Sequence, residues 1–181
     1  MAGHLIRKIE ENGGCLDTGF LATPYLLDAI CKTGRVDQAY QLLLQTKCPS
    51  WLYEVKQGAT TIWENYIAYK EDGTPVMTSL NHYAFGCVDD WMFRKISGIQ
   101  PAAPGFKEIV IAPELNDAFT NAKRAYMSDY GKIATAWDLK DGKFHIEVDI
   151  PCNTTAVVNL PDGSSYKIGS GPYTFDCDVK Q

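Results

Sequence analysis

Long apolar runs, basic blocks and paired cysteines are all missing from this sequence, and each absence removes a class of function. No stretch approaches the roughly 18 consecutive apolar residues of a membrane span, so no membrane partner is expected. The 17 Lys and Arg are outnumbered by 22 Asp and Glu, giving a net charge of −5. They are scattered rather than gathered into a patch, which argues against nucleic acid. Histidines number only three, and the six cysteines, at 15, 31, 48, 87, 152 and 177, form no CxxC pair. A metal site is therefore not expected. Several of the cysteines fall on apolar helix faces, where free cysteine behaves as a small hydrophobe, so reduced thiols are the expectation. There is no Gly-x-Ser-x-Gly elbow, no phosphate loop and no dinucleotide fingerprint, and no cofactor is expected. Gly169-Ser170-Gly171 reads only as a turn. The opening Met1-Ala2-Gly3-His4-Leu5 lacks the basic-then-apolar order of a secretory signal. On that basis the expected location is cytoplasmic.

What is present is enough for a core: apolar residues make up 45% and charged residues 22%, close to the average for globular proteins. The periodicity changes near residue 100, and this divides the chain into residues 1–100 and 101–181. In the first part, Thr23-Pro24 is a helix start with a hydroxyl N-cap and Gly34 is a stop. Leu26, Leu27, Ile30 and Cys31 recur between them at helical spacing. A second helix carries Val36, Ala39, Tyr40, Leu43 and Leu44, with Pro49 beyond its end. One such hairpin resembles a solenoid unit, but a single copy argues against a repeat protein. The longest helix is predicted from Ser79 to Ile96, on the stripe Leu80, Tyr83, Ala84, Cys87, Val88, Trp91 and Met92, with Thr78 or Ser79 as its cap. Between hairpin and long helix, helices should be short and loops long.

Gly98 to Gly105, rich in glycine and proline, reads as a linker. Beyond it lie strand-like runs at 109–111, 133–137, 144–150, 155–160 and 173–175, punctuated by the hairpin-turn signals Asp141-Gly142 and Asp162-Gly163. This half is predicted to be an antiparallel sheet or small sandwich, with apolar residues alternating inward along 144–150.

The stretch from Ser50 to Tyr66 holds Trp51, Tyr53, Trp63 and Tyr66 together with Glu54 and Glu64. Aromatic faces beside carboxylates suit a sugar, which stacks on a ring while its hydroxyls meet the acid. The same residues would equally serve a hydrophobic core. Glu64, after Ile62-Trp63, is expected to sit among apolar groups that raise a carboxyl pKa. His82, in the first turn of the long helix, points either into a cleft or into solvent.

Five blocks in order carry a resemblance. They are Leu16-Asp17-Thr18-Gly19-Phe20-Leu21-Ala22-Thr23-Pro24, Pro49-Ser50-Trp51-Leu52-Tyr53, Gly58-Ala59-Thr60-Thr61-Ile62-Trp63-Glu64, Ser79-Leu80-Asn81-His82-Tyr83-Ala84 and Gly98-Ile99. Over about residues 15–115 the chain resembles the bacterial α-L-rhamnosidases, and the last sixty or so residues resemble that family's C-terminal β-sandwich by position and strand pattern. The resemblance implies the last helices of an (α/α)6 barrel followed by an antiparallel β-sandwich. It implies hydrolysis of rhamnose-containing glycosides with inversion, one acid protonating the leaving group and one base activating water. Glu64 takes the place of the general base, His82 that of a rhamnose contact, and Trp63 helps shape the pocket.

Only part of the barrel is in this sequence, so the general acid is expected upstream of Met1 and the opening residues are read as an excision remnant. The chain alone is expected to be inactive, and helix faces left without partners should drive self-association into a homo-oligomer. The competing reading is a stand-alone carbohydrate-binding or interaction module whose working half is residues 105–181. Binding that survives Glu64→Gln would distinguish it.

Overall fold

The computed structural model describes residues 2–70 and 72–179. The chain divides into two compact units, Met1–Asp89 and Asp90–Gln181. The first contains α1 (Ala2–Glu11), α2 (Thr23–Cys31), α3 (Val36–Leu43) and α4 (Trp51–Lys56), then long irregular segments and a 3-10 turn at Ala84–Cys87. No described helix is long and apolar enough to cross a membrane.

The hairpin of α2 and α3 forms because its apolar positions share one face. Leu26, Leu27 and Ile30 are buried on α2 and Ala39, Tyr40, Leu42 and Leu43 on α3. Leu44, expected on that face, is half exposed. Thr23 is not the cap that the sequence suggests. It lies inside the first turn, buried, and its hydroxyl bonds to the Thr18 hydroxyl at 2.8 Å and reaches the Gly19 carbonyl at 3.0 Å. The hydroxyl thus ties the preceding loop to the helix. α4 does have a hydroxyl cap, since Ser50 Oγ accepts the Tyr53 N–H at 3.1 Å, satisfying one of the donors a helix start leaves free. α1 is missed by the sequence reading, which places no helix before Thr23.

The predicted helix from Ser79 to Ile96 is also corrected. Residues 79–83 are non-helical, and regular helix begins only at α5 (Val88–Lys95). The backbone of 79–82 is instead paired with 62–64. The Glu64 N–H donates to the Ser79 carbonyl at 2.9 Å and the His82 N–H to the Ile62 carbonyl at 2.8 Å. Each peptide has one donor, so bonds made across the loop are not available for a helical turn.

The second unit is built from eight strands: β1 (Ile99–Pro101), β2 (Glu108–Ile111), β3 (Asn121–Ser128), β4 (Gly131–Lys140), β5 (Lys143–Ile150), β6 (Thr155–Asn159), β7 (Ser165–Ile168) and β8 (Gly171–Asp178). They form two four-stranded sheets, ordered β1-β2-β6-β7 and β3-β4-β5-β8. All pairs are antiparallel except β2 with β6. β5 shows the expected alternation, burying Phe144, Ile146, Val148 and Ile150. Ile133 and Trp137 of β4, Ile109 and Ile111 of β2, and Val158 of β6 complete the core. The Asp141-Gly142 turn joins β4 to β5 with φ of 52° and 73°, the left-handed pair that a two-residue hairpin of matching twist requires.

The predicted linker at 98–105 is structured, supplying β1 and a 3-10 turn at Pro104–Phe106. Gly98 allows it. Its φ is +81°, and a Cβ there would lie 2.5 Å from the Pro113 nitrogen, so only glycine fits. β3, β7 and β8 include polar and exposed residues, which is why β3 and β7 escape a search for apolar runs and β8 is seen only at 173–175. The Trp137 Nε1–H donates to the Ile96 carbonyl at 2.7 Å and Thr135 Oγ1 to the Ser97 carbonyl at 2.9 Å. These bonds fasten the chain leaving α5 to the second sheet.

Candidate functional site

Glu64 and His82 lie on two paired stretches of chain, 62–64 running antiparallel to 79–82, with Trp63 between the two bonds that link them. Glu64 is locked at both ends of its residue. Its N–H donates to the Ser79 carbonyl, and its Oε2 accepts the Ser79 N–H at 2.9 Å. Thr61 Oγ1 adds a third link, to the Leu80 carbonyl. Among the described residues Oε1 of Glu64 has no hydrogen-bond partner, and the side chain is half-buried. One oxygen is therefore fixed by the backbone while the other is left for a water or a ligand. The expectation that Glu64 is the glutamate set among apolar groups is not met; that place belongs to Glu54, which is 1% exposed.

His82 is half-buried and lies parallel to two rings, with centroids 4.9 Å from Phe20 and 5.2 Å from Tyr83. It is not on a helix. Its Nδ1 accepts the N–H of Ala84, the first residue of the 3-10 turn, at 3.3 Å. With Nδ1 accepting, the ring proton of the neutral form sits on Nε2, which is then a donor. Phe20 continues the ring series inward, meeting Phe85 edge-on at 5.0 Å, and Phe85 stacks on Tyr66 at 4.3 Å. Trp63 is buried with its ring edge-on to Tyr69, and its N–H donates to Glu54 Oε2 at 3.1 Å. Of the two uses open from the sequence, burial in the core is the one seen for most of the 50–66 stretch, and the exposed rings beside His82 come from outside it. Trp51, Trp63 and Tyr66 are core, whereas Phe20 and Tyr83 are exposed beside His82.

Residues 1–96 match the bacterial alpha-L-rhamnosidase 6 hairpin glycosidase domain, and residues 98–174 match the bacterial alpha-L-rhamnosidase C-terminal domain. The chain belongs to the bacterial alpha-L-rhamnosidase family. An alpha-L-rhamnosidase of Formosa agariphila is 43% identical over 97% of this chain and 20% of its own length. One from Streptomyces avermitilis is 41% identical over 88% of this chain and 16% of its length. The crystal structure of the Streptomyces avermitilis alpha-L-rhamnosidase complexed with L-rhamnose superposes with a TM-score of 0.94 at 36% identity, covering 98% of this chain and 19% of that one. The Aspergillus terreus alpha-L-rhamnosidase gives 0.92, also at 36% identity, covering 97% of this chain and 21% of that one. The chain thus spans about a fifth of the length of the relatives it matches.

Two residues of this rhamnosidase segment were not singled out from the sequence as site residues. Phe20, in the Asp17-Thr18-Gly19-Phe20 block, holds one face of His82, and Glu54 holds the backbone beside Glu64. Glu54 could have been found as the only acidic residue on the apolar side of a six-residue helix; nothing local marks Phe20, because its partner lies more than sixty residues later. Among the described residues no cluster of His, Cys, Asp and Glu is arranged to hold a metal ion, and none of the six cysteines is in a disulfide. In the second unit a concavity of about 580 Å³ lies on the sheet of β3, β4, β5 and β8, with Lys123, Ala134, Ala136 and Glu147 among its lining residues. Its lining also includes Val148, Pro172 and Tyr173, and the Lys132–Asp149 ion pair, at 3.2 Å, is part of it.

Proposed function

We propose that this chain is the base-bearing C-terminal part of a longer α-L-rhamnosidase that hydrolyses terminal α-L-rhamnosides with inversion. Glu64 takes a proton from water as the water oxygen bonds to the anomeric carbon. The bond from that carbon to the leaving oxygen breaks, and a carboxylic acid on the remainder of the enzyme protonates the departing oxygen. Inversion requires the two carboxyls to stand about 6.5–9.5 Å apart so that water fits between base and sugar. His82 donates from Nε2 to a sugar hydroxyl, and Trp63 backs the pocket from within the fold.

The observation that carries this reading is the state of Glu64, with one oxygen held by the Ser79 N–H and the other unbonded among the described residues. A general base needs a fixed carboxylate with a free lone pair within reach of water. On this reading the acid partner and much of the pocket belong to the remainder of the longer enzyme, and the chain alone should neither donate the proton nor orient the sugar. Joined to the preceding portion of the Streptomyces avermitilis relative, it should hydrolyse an aryl α-L-rhamnoside to the inverted anomer. Glu64→Gln in that enzyme should lower the rate by at least about 100-fold, the lower end of what a positioned base contributes. A retained anomer, or a Glu64→Gln enzyme of near-parental rate, would sink the assignment, as would hydrolysis by this chain alone at rates like the full enzyme.

Leu21, Tyr25 and Tyr83 are exposed at 91%, 72% and 88%. Exposed apolar surface of this kind favours association, and the isolated chain should form dimers or larger species. A monomer in light scattering would count against that.

A further inference from the structure

Among the described residues Glu54 is the one buried carboxyl of the first unit, and the mechanism leaves it without a task. It sits on α4, and its residue grips the following loop at two points. Its backbone carbonyl accepts the Ala59 N–H at 3.1 Å, and its Oε2 accepts the Trp63 N–H at 3.1 Å. Trp63 is the residue immediately before Glu64. The other carboxyl oxygen, Oε1, is buried with no hydrogen-bond partner. Burying an acid with one oxygen unsatisfied is costly, and a methionine or leucine would fill the volume at less expense. What an apolar residue cannot supply is the acceptor for the Trp63 amide. Burial raises the Glu54 carboxyl from its ordinary value, and the hydrogen bond from the Trp63 N–H acts in the opposite direction.

We propose that Glu54 is a positioning residue for Glu64: by holding the Trp63 amide through its buried carboxyl, it sets the direction in which the next residue presents its carboxylate. The proposal rests on the reading of Glu64 as the working carboxylate, but its test does not pass through hydrolysis. It uses this chain labelled with ¹⁵N and ¹³C, as the parent and as E54Q and E54M. In E54M the Trp63 amide should exchange with solvent at least about tenfold faster, the order expected for loss of one hydrogen bond, and the titration of the Glu64 side-chain carboxyl should shift. In E54Q, which is neutral and keeps an acceptor, both should stay within about twofold of the parent. An E54M chain with an unmoved Glu64 titration overturns the proposal, and so does an E54Q chain displaced as far as E54M. If E54M does not fold, E54D, one methylene shorter, is read by the same two signals against E54Q. The role of Glu64 as base is judged separately by the rate of its Gln variant, so either idea can fail without the other.

Discussion

Along β4 and β5 each residue from Ala134 to Lys140 has a partner across the ladder, whereas the loop from Ala59 to Glu64 is held by a few bonds that each depend on a particular group. In the second unit the backbone supplies most of the geometry, and side chains fill the space between sheets. In the first, side chains set the backbone: Ser50 caps α4, Glu54 anchors Trp63, the Trp51 indole N–H binds the Phe85 carbonyl and Thr61 reaches Leu80. A ladder tolerates substitution at many positions because no single side chain carries it. A loop shaped by individual side chains is easily lost, but it can place a carboxylate and a ring where a regular element would not.

Four measurements would break or sharpen that contrast. Phe144, with no exposed surface, is the largest test of the second unit. Phe144→Ala should cost about 3–5 kcal/mol in denaturant unfolding, by lost burial and the cavity left. A cost under about 1 kcal/mol would mean that the ladders, not the core, hold this unit. In the first unit, Trp51→Phe removes the donor bonded to the Phe85 carbonyl at 2.9 Å while keeping most of the ring. Leaving that buried carbonyl unpaired should cost about 1–3 kcal/mol, read from the same unfolding curves.

The third test is by pH. Burial raises the Glu54 carboxyl above its ordinary value, so the folded state holds a proton that the unfolded chain releases. Its contribution is fully present below the ordinary carboxyl range and declines as pH rises through the raised value. E54Q should flatten that decline; an unchanged slope would assign it to another group. The smallest effect concerns the exposed His145, whose Nδ1 lies 2.7 Å from Asp176 Oδ1. The hydrogen bond to Asp176 raises the imidazole, so its stabilisation is present below the usual histidine value and fades as pH rises through the raised one. Solvent screening limits it to under about 1 kcal/mol, and His145→Ala should erase it with little change in unfolding elsewhere.

Much of this architecture was legible in the residues. The helical hairpin, the inward alternation of β5 and the Asp141-Gly142 turn follow from periodicity and turn chemistry, which are local properties. The failures share a cause. The stripe from Leu80 to Met92 has helical spacing, but the backbone of 79–82 is engaged by 62–64, a partner that periodicity cannot reveal. Gly98 to Gly105 has linker composition, yet β2 recruits part of it as a strand. At the site, sequence order indicated Glu64 and His82, and the fold places them on adjacent stretches of chain. Glu54, rather than Glu64, is the fully buried glutamate, Glu64 being half-buried, a difference that the residues next to each in the sequence do not reveal.

The lone parallel pair has a bearing on how the protein is made. β2 at 108–111 takes its second neighbour from 155–158, and between them the chain must pass through β3, β4 and β5 of the other sheet. As the polypeptide leaves the ribosome, Ile109 and Ile111 have only the three-residue β1 beside them until β6 emerges. An open strand edge of that kind can pair with another chain, and distant pairing forms slowly. Synthesis that halts after Ile150 would therefore yield a sticky product with one sheet reduced to β1 and β2 and the other lacking β8, which chaperones or proteases would have to clear.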